Sequence, residues 1–200
     1  MKEAIQHLRQ CDPILSEIID QVGDYRIEFR SPGFETLVRS IVNQQLSGKV
    51  ARVIYGRLMG AVHECMTPEN VLKLRPARMR ALGLSAQKTD YIRDLARDTR
   101  DRRLIFEELQ ELPDQAVIER LTQVKGIGVW TVHMFLIFAL RRLDVLPTGD
   151  LGIRNAVRKA YGLKELPAPA EVEALAVKWR PYCTVASWYL WRSLEGNANL

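Results

Sequence analysis

The most constraining feature of this sequence is the rhythm of its apolar residues. Phe34, Leu37, Val38, Ile41 and Val42 fall at i, i+3, i+4, i+7 and i+8, the spacing of one buried helix face. The same period recurs at Ile14, Leu15, Ile18, Ile19 and Val22; at Val50, Val53, Ile54 and Leu58; and at Val117, Ile118 and Leu121. It continues at Ile153, Ala156, Val157 and Ala160, then at Val172, Leu175, Ala176 and Trp179. Helix stop and start signals separate these stripes: Ser31-Pro32-Gly33, Thr67-Pro68-Glu69, Arg75-Pro76, Leu112-Pro113-Asp114, Pro167-Ala168-Pro169 and Arg180-Pro181. The pattern predicts an all-α protein of roughly ten short helices. Only Tyr25 to Phe29 alternates with the two-residue period of a strand, and it stands beside Gly23 as a single strand candidate.

A chain of 200 residues, 47% hydrophobic and 26% charged, is long enough to bury a substantial core. No linker, low-complexity tract or internal repeat divides it, so residues 1–200 read as one domain. The formal charge of +5 and a pI near 9.2 suit a polyanionic partner without demanding one. Cys11, Cys65 and Cys183 are widely separated and make neither a disulfide framework nor a thiolate metal site. The N-terminus lacks the apolar core of a signal peptide, and the longest apolar run, Val129 to Leu140, is too short to span a bilayer. These features predict an intracellular protein away from membranes.

Chemistry concentrates between Leu121 and Asp150. Val124-Lys125-Gly126-Ile127-Gly128-Val129-Trp130-Thr131 is a glycine-punctuated turn that opens an apolar helix. Gly126 and Gly128 let backbone approach a ligand closely, and N–H groups at a helix N-terminus favour an anion. Lys125 adds positive charge there. The carbonyls of Thr122, Val124 and Ile127 can turn inward and hold a monovalent cation. The plain alternative is that the glycines merely join two helices. Downstream, Asp150 follows Pro147-Thr148-Gly149 and precedes a helical stripe, where an aspartate is a natural N-cap. Asn43 to Lys49 is unusually polar where helical periodicity would continue, and Ser47 there can simply cap the next helix.

Taken together, Leu121-x-x-Val124-x-Gly126-Ile127-Gly128-x-Trp130-Thr131 followed by Asp150 resembles the helix-hairpin-helix DNA glycosylases. Within them the chain is most similar to the alkylbase, 3-methyladenine DNA glycosylase II branch. The resemblance extends to Phe34-x-x-Leu37-x-x-x-Ile41-Val42-x-Gln44-Gln45-Leu46-Ser47, to Gly83-Leu84-Ser85-x-x-Lys88, and to Trp179-Arg180-Pro181-Tyr182 with Trp188 and Trp191. It implies two helical lobes around a central DNA-binding cleft that receives a flipped-out base, with the hairpin at about 115–140 and without the additional β-rich domain of some relatives. It further implies Asp150 as the catalytic carboxylate and Trp130, Trp191, Phe34 and Met134 around the base, Met134 replacing a tyrosine of the family's best-studied pattern. Gln44, Gln45, Leu46 and Ser47 would enter the minor groove, with Gln45 or Leu46 filling the gap left by the base. Lys49, Lys88, Lys125, Gly126, Gly128 and Thr131 would complete the DNA contacts, and Arg52 is a further phosphate candidate.

Cleaving an N-glycosidic bond builds positive charge on the deoxyribose, which a nearby carboxylate stabilises. One carboxylate is enough when the leaving base is already cationic, as an alkylated purine is. Trp130 occupies the position at which lyase members of the family place a nucleophilic lysine, so the resemblance implies a monofunctional, hydrolytic enzyme. Electron-rich rings favour a cationic base over a neutral one by about 1–2 kcal/mol. His63 and His133 stand isolated and carry no assigned chemistry, and the family's iron–sulfur cysteines have no counterpart here. Trp188 and Tyr189 fit a core role at least as well as a pocket. The expectation is a monomeric enzyme needing no cofactor beyond a possible structural Na+ or K+ at the hairpin, acting on double-stranded DNA that contains alkylated bases. The rival readings are a non-catalytic helix-hairpin-helix module that senses damage, and a glycosylase for deaminated or oxidised bases.

Overall fold

A computed structural model describes residues 1–195. Among these, thirteen α-helices follow one another: α1 (Lys2–Cys11), α2 (Pro13–Val22), α3 (Phe34–Asn43), α4 (Gly48–Ala61), α5 (Pro68–Lys73), α6 (Pro76–Ala81) and α7 (Ala86–Arg100). Then come α8 (Phe106–Leu109), α9 (Asp114–Thr122), α10 (Val129–Phe138), α11 (Leu151–Ala160), α12 (Pro169–Ala176) and α13 (Cys183–Glu195), with a 3-10 turn at Val177–Trp179. The prolines act as the sequence predicts. Pro68, Pro76 and Pro169 each open a helix, and Thr67, Ser85 and Ser47 cap α5, α7 and α4 by accepting a backbone N–H three residues on. The helices outnumber the roughly ten expected because α5, α6 and α8 are too short to display an apolar period.

The chain forms two compact units. One comprises, among the described residues, 1–29 and 136–195. Its core gathers Leu15, Ile18 and Ile19 of α2, Ile153, Ala156 and Val157 of α11, and Trp188, Tyr189 and Leu190 of α13. Trp188 and Tyr189 are therefore core residues. Asp12, 0% exposed, is the polar centre of this unit. It caps α2 through the N–H groups of Ile14 and Leu15, and accepts bonds from the Tyr161 hydroxyl and, at 2.8 Å, from Trp179 Nε1. Lys178 Nζ lies 3.1 Å away. Burial pushes this carboxyl towards its neutral form, but the donors of Tyr161, Trp179 and Lys178 outweigh that and hold it below the ordinary carboxylate range.

Residues 25–29 correct the strand expectation. The segment is extended, and Tyr25 and Ile27 do turn towards the core, Tyr25 meeting the Trp188 ring at 4.7 Å between centroids. It pairs with no other backbone among the described residues, so it is no strand. Alternation here reports one-sided burial of an extended segment.

The other unit comprises residues 30–135. Leu37, Val38, Ile41 and Val42 of α3 are fully buried, and α3 packs against α4 and α7, whose Ile92, Leu95 and Ala96 are also buried. The stripe predicted on α4 is rotated: Ala51, Ile54 and Leu58 face inward, while Val50 and Val53 are exposed. Helix α10 begins in this unit, and its last turn runs into the first.

Candidate active site and nucleic-acid interface

Helix α9 ends at Thr122, the chain turns through 123–128, and α10 starts at Val129, which makes a helix-hairpin-helix. Val124 and Ile127 are buried and anchor the turn, with the Ile127 N–H donating to the Val124 carbonyl at 3.1 Å. Gly126 has φ +84°, in the left-handed region, and a Cβ there would lie 2.1 Å from Cδ2 of Tyr91. The fold itself therefore requires this glycine. Gly128 differs: its φ is not in that region and a Cβ would meet nothing within 4 Å, so nothing inside the protein demands its bareness.

Gln44, Gln45, Ser85, Gln87, Lys88, Tyr91 and residues 122–128 line an open pocket of about 510 Å³. Its wall is tied together by side chains. The Gln44 side-chain amide donates to the Gly126 carbonyl at 2.7 Å, which fastens the hairpin to the end of α3. Lys88 Nζ donates to the carbonyls of Val42 and Gln44 at 2.8 and 2.6 Å. Lys88 thus corrects the phosphate-contact expectation: its ammonium satisfies carbonyls that α3 leaves without helical partners, and burial lowers its pKa. Among the other expected DNA contacts, Gln45 (φ +56°), Leu46, Ser47, Lys49, Arg52, Lys125 and Gly128 are exposed. Ser47 caps α4, the plain role weighed for it in the sequence. Thr131 is a correction, because its side chain is 3% exposed and lies in the core of the hairpin helix.

Charge is unevenly shared. Residues 30–135 carry 17 Lys and Arg against 12 Asp and Glu, whereas the rest of the chain carries 12 of each. The whole excess therefore belongs to the unit that contains the hairpin pocket, where it can attract a polyanion.

Of the aromatic and apolar residues expected around a base, Trp130 is 46% exposed at the second position of α10. Met134 is half-buried one turn later. Phe34, only 6% exposed, is a core residue at the start of α3 with little surface to offer, which corrects its expected place in a pocket wall. Neither the exposed Cys65 nor the other two cysteines has a metal-binding neighbourhood, and no group of three or more His, Cys, Asp or Glu able to hold a metal occurs among the described residues. No helix among them is long and apolar enough to cross a membrane.

Asp150 is built by the other unit. Pro147 to Asp150 form a tight turn in which the Asp150 N–H donates to the Pro147 carbonyl at 2.9 Å. The carboxylate then accepts on Oδ1 from the Ile153 N–H at 2.8 Å and from Trp191 Nε1 at 2.9 Å. It is half-buried. Asp150 is thus the N-cap of α11, one of the two readings weighed for it in the sequence. Trp191 stands on α13, which packs against α11, and its ring stacks on Phe138 with centroids 6.0 Å apart and planes at 23°. The donor role of Trp191 and the Gln44 and Lys88 anchors have no sequence signal, since each rests on a meeting of distant segments.

Residues 38–181 match the HhH-GPD superfamily base excision DNA repair protein family. The chain is 38% identical to DNA-3-methyladenine glycosylase 1 of Schizosaccharomyces pombe, over 94% of this chain and 85% of that protein. Its structure is similar to that of the S. pombe 3-methyladenine DNA glycosylase in complex with abasic DNA (TM-score 0.88, 37% identity, 96% of this chain and 97% of that one). It is also similar to a DNA-3-methyladenine glycosidase from Bacillus halodurans (TM-score 0.86, 37% identity, 96% and 88%). A family match over most of the chain, joined to the hairpin, the anchored pocket and the capped Asp150, means that this chain belongs to the HhH-GPD superfamily of base excision DNA repair proteins.

Proposed function

We propose that this chain is a monofunctional DNA glycosylase that hydrolyses the N-glycosidic bond of alkylated purines, of the 3-methyladenine and 7-methylguanine type, in duplex DNA and leaves an abasic site. The observation that carries the reading is Asp150, a half-buried carboxylate held by two N–H donors at the start of α11. A carboxylate fixed in this way needs no reorganisation when positive charge develops at C1′, and that preorganisation is where electrostatic catalysis gains most. The C1′–N bond breaks with its electron pair passing to the base, which is already cationic and so leaves neutral. Water then adds to C1′ and gives up a proton.

Trp130 supports hydrolysis over lyase chemistry, since an indole cannot form a Schiff base and Lys125 lies ahead of the glycines, off the nucleophile's position. The similar 3-methyladenine glycosylases agree with an alkylated purine as substrate. Gly128 supports a phosphate at the hairpin: a residue kept bare for no internal reason leaves its N–H open to a ligand from outside.

The hairpin carbonyls of Thr122, Val124 and Ile127 are neutral donors, and the Thr122 hydroxyl is already engaged with the Ile118 carbonyl at 2.7 Å. The Val124 carbonyl keeps one lone pair beyond its bond to Ile127. Such a set fits Na+ or K+ better than a divalent ion, which would call for carboxylates. A cation held there would strengthen the field at the phosphate. The reading assigns the enzyme no other cofactor and places it with the cell's DNA, as a monomer.

The experiment is base-release profiling on methylated duplex DNA. Free 3-methyladenine or 7-methylguanine should appear, with no strand breakage before alkali is added. Intact bases throughout, or breaks formed without alkali, would overturn the proposal.

A further inference from the structure

Gly152 occupies the second position of α11, where glycine is a poor helix former and where its backbone is not in the left-handed region. Nothing in the helix itself calls for it. What a side chain would meet explains it: a Cβ at Gly152 would lie 2.9 Å from Asp150 Oδ1 and 3.2 and 3.3 Å from Cδ1 and Nε1 of Trp191. These are the two partners of a single hydrogen bond, Trp191 Nε1 to Asp150 Oδ1 at 2.9 Å. The same oxygen takes the Ile153 N–H at 2.8 Å. Trp191 cannot retreat freely, because it stacks on Phe138 and stands on a helix packed against α11. Three elements thus converge on the space left by one missing methyl group.

We propose that Gly152 is a positioning residue whose lack of a side chain lets the Trp191 indole reach Asp150, and that Trp191 acts through this bond to fix the carboxylate's orientation. This rests on the reading of Asp150 as the carboxylate that stabilises the sugar cation. The cap bond holds Oδ1 from within α11. A second donor on the same oxygen, coming from another helix, narrows the carboxylate's orientation further. Small displacements of such a group cost rate without costing affinity, since they act on the transition state more than on the bound duplex.

The test compares Gly152→Ala, Trp191→Phe and the double variant by single-turnover release of 7-methylguanine, affinity for duplex DNA, and Tm. Trp191→Phe keeps a ring for Phe138 and removes the N–H donor together with part of the indole's volume. Gly152→Ala should lower the single-turnover rate by about 10- to 100-fold. Its DNA affinity should stay within about twofold and its Tm should fall only modestly, the better helix propensity of alanine offsetting part of the steric shift at Asp150 and Trp191. Trp191→Phe should lose rate in the same range, and the double variant should be no slower than the slower single one, as expected when both act through one bond. A Gly152→Ala variant at full rate, one whose rate is restored by assaying further below its Tm, a Trp191→Phe variant at full rate, or losses that multiply in the double variant would each overturn the proposal. Asp150→Asn separates this from the underlying reading. If that variant keeps its rate the reading of Asp150 falls, whereas if it is inactive while Gly152→Ala is normal, only the positioning role falls.

Discussion

Replacing Lys88 with methionine separates two roles that a lysine beside a DNA-binding pocket can play. Methionine matches the length of the stem and removes the ammonium, so the carbonyls of Val42 and Gln44 lose donors now at 2.8 and 2.6 Å. A hydrogen bond to a charged group contributes about 1.5–3 kcal/mol. Two such bonds set the upper range, but partial exposure lets water re-solvate the carbonyls, and the ammonium already suffers the burial that lowers its pKa. A net loss of about 2 kcal/mol follows, or roughly 4–8 °C in Tm for a chain of this size. Loosening Gln44 should also loosen its hold on the Gly126 carbonyl, so affinity for duplex DNA should fall by a few-fold. The assay is thermal denaturation together with DNA affinity across a KCl series. Because Lys88 is occupied by backbone, the slope of log K against log salt should not change. A lysine that contacted phosphate would take about 0.9 from that slope when removed. A reduced slope with unchanged Tm would refute the assignment. Gln44→Ala combined with Lys88→Met should cost less than the sum of the two, since both act on one anchor.

Gly126→Ala must bear a left-handed φ of +84° and a Cβ 2.1 Å from the Tyr91 ring, so it should cost at least about 3 kcal/mol and most DNA affinity, read by Tm and binding. Tyr91→Ala in the same chain should restore part of the stability, and no restoration would contradict the packing account. Burial lowers the pKa of His133 below 6.5, with Asp114 partly opposing it. The unfolded chain therefore takes up this proton near pH 6.5 while the folded one resists until lower pH, so stability should decline as pH falls through that window and level off below the folded value. His133→Gln should flatten this part of the Tm profile, and an unchanged profile would show that burial of His133 is not its cause.

The helices of this fold were legible because proline and capping residues mark their starts and apolar spacing marks their faces. That signal failed where its physical basis was missing. On α4 the larger Val50 and Val53 suggested the inner face, but the small Ala51 is what lies against the core, and size alone does not report direction. At 25–29 alternation was real, yet a strand also needs a neighbouring backbone, which a sequence of one segment cannot supply. In the site, Asp150 and the hairpin glycines could be read because a turn chemistry surrounds them. Lys88 could not, since its partners are carbonyl groups that every residue has. Gly152 looked unremarkable as a letter in a helix, and only the approach of Trp191 from a distant segment gives it meaning.

Single-turnover release of 7-methylguanine by Asp150→Asn, with DNA affinity measured alongside, tests the role of Asp150 most directly. Asparagine keeps an oxygen for the Ile153 and Trp191 donors, so the variant should fold and bind DNA as the parent does. Removing the negative charge should lower the rate by about 100-fold or more, the scale of losing one preorganised electrostatic group. A rate within a few-fold of the parent, at unchanged affinity, would contradict the central claim.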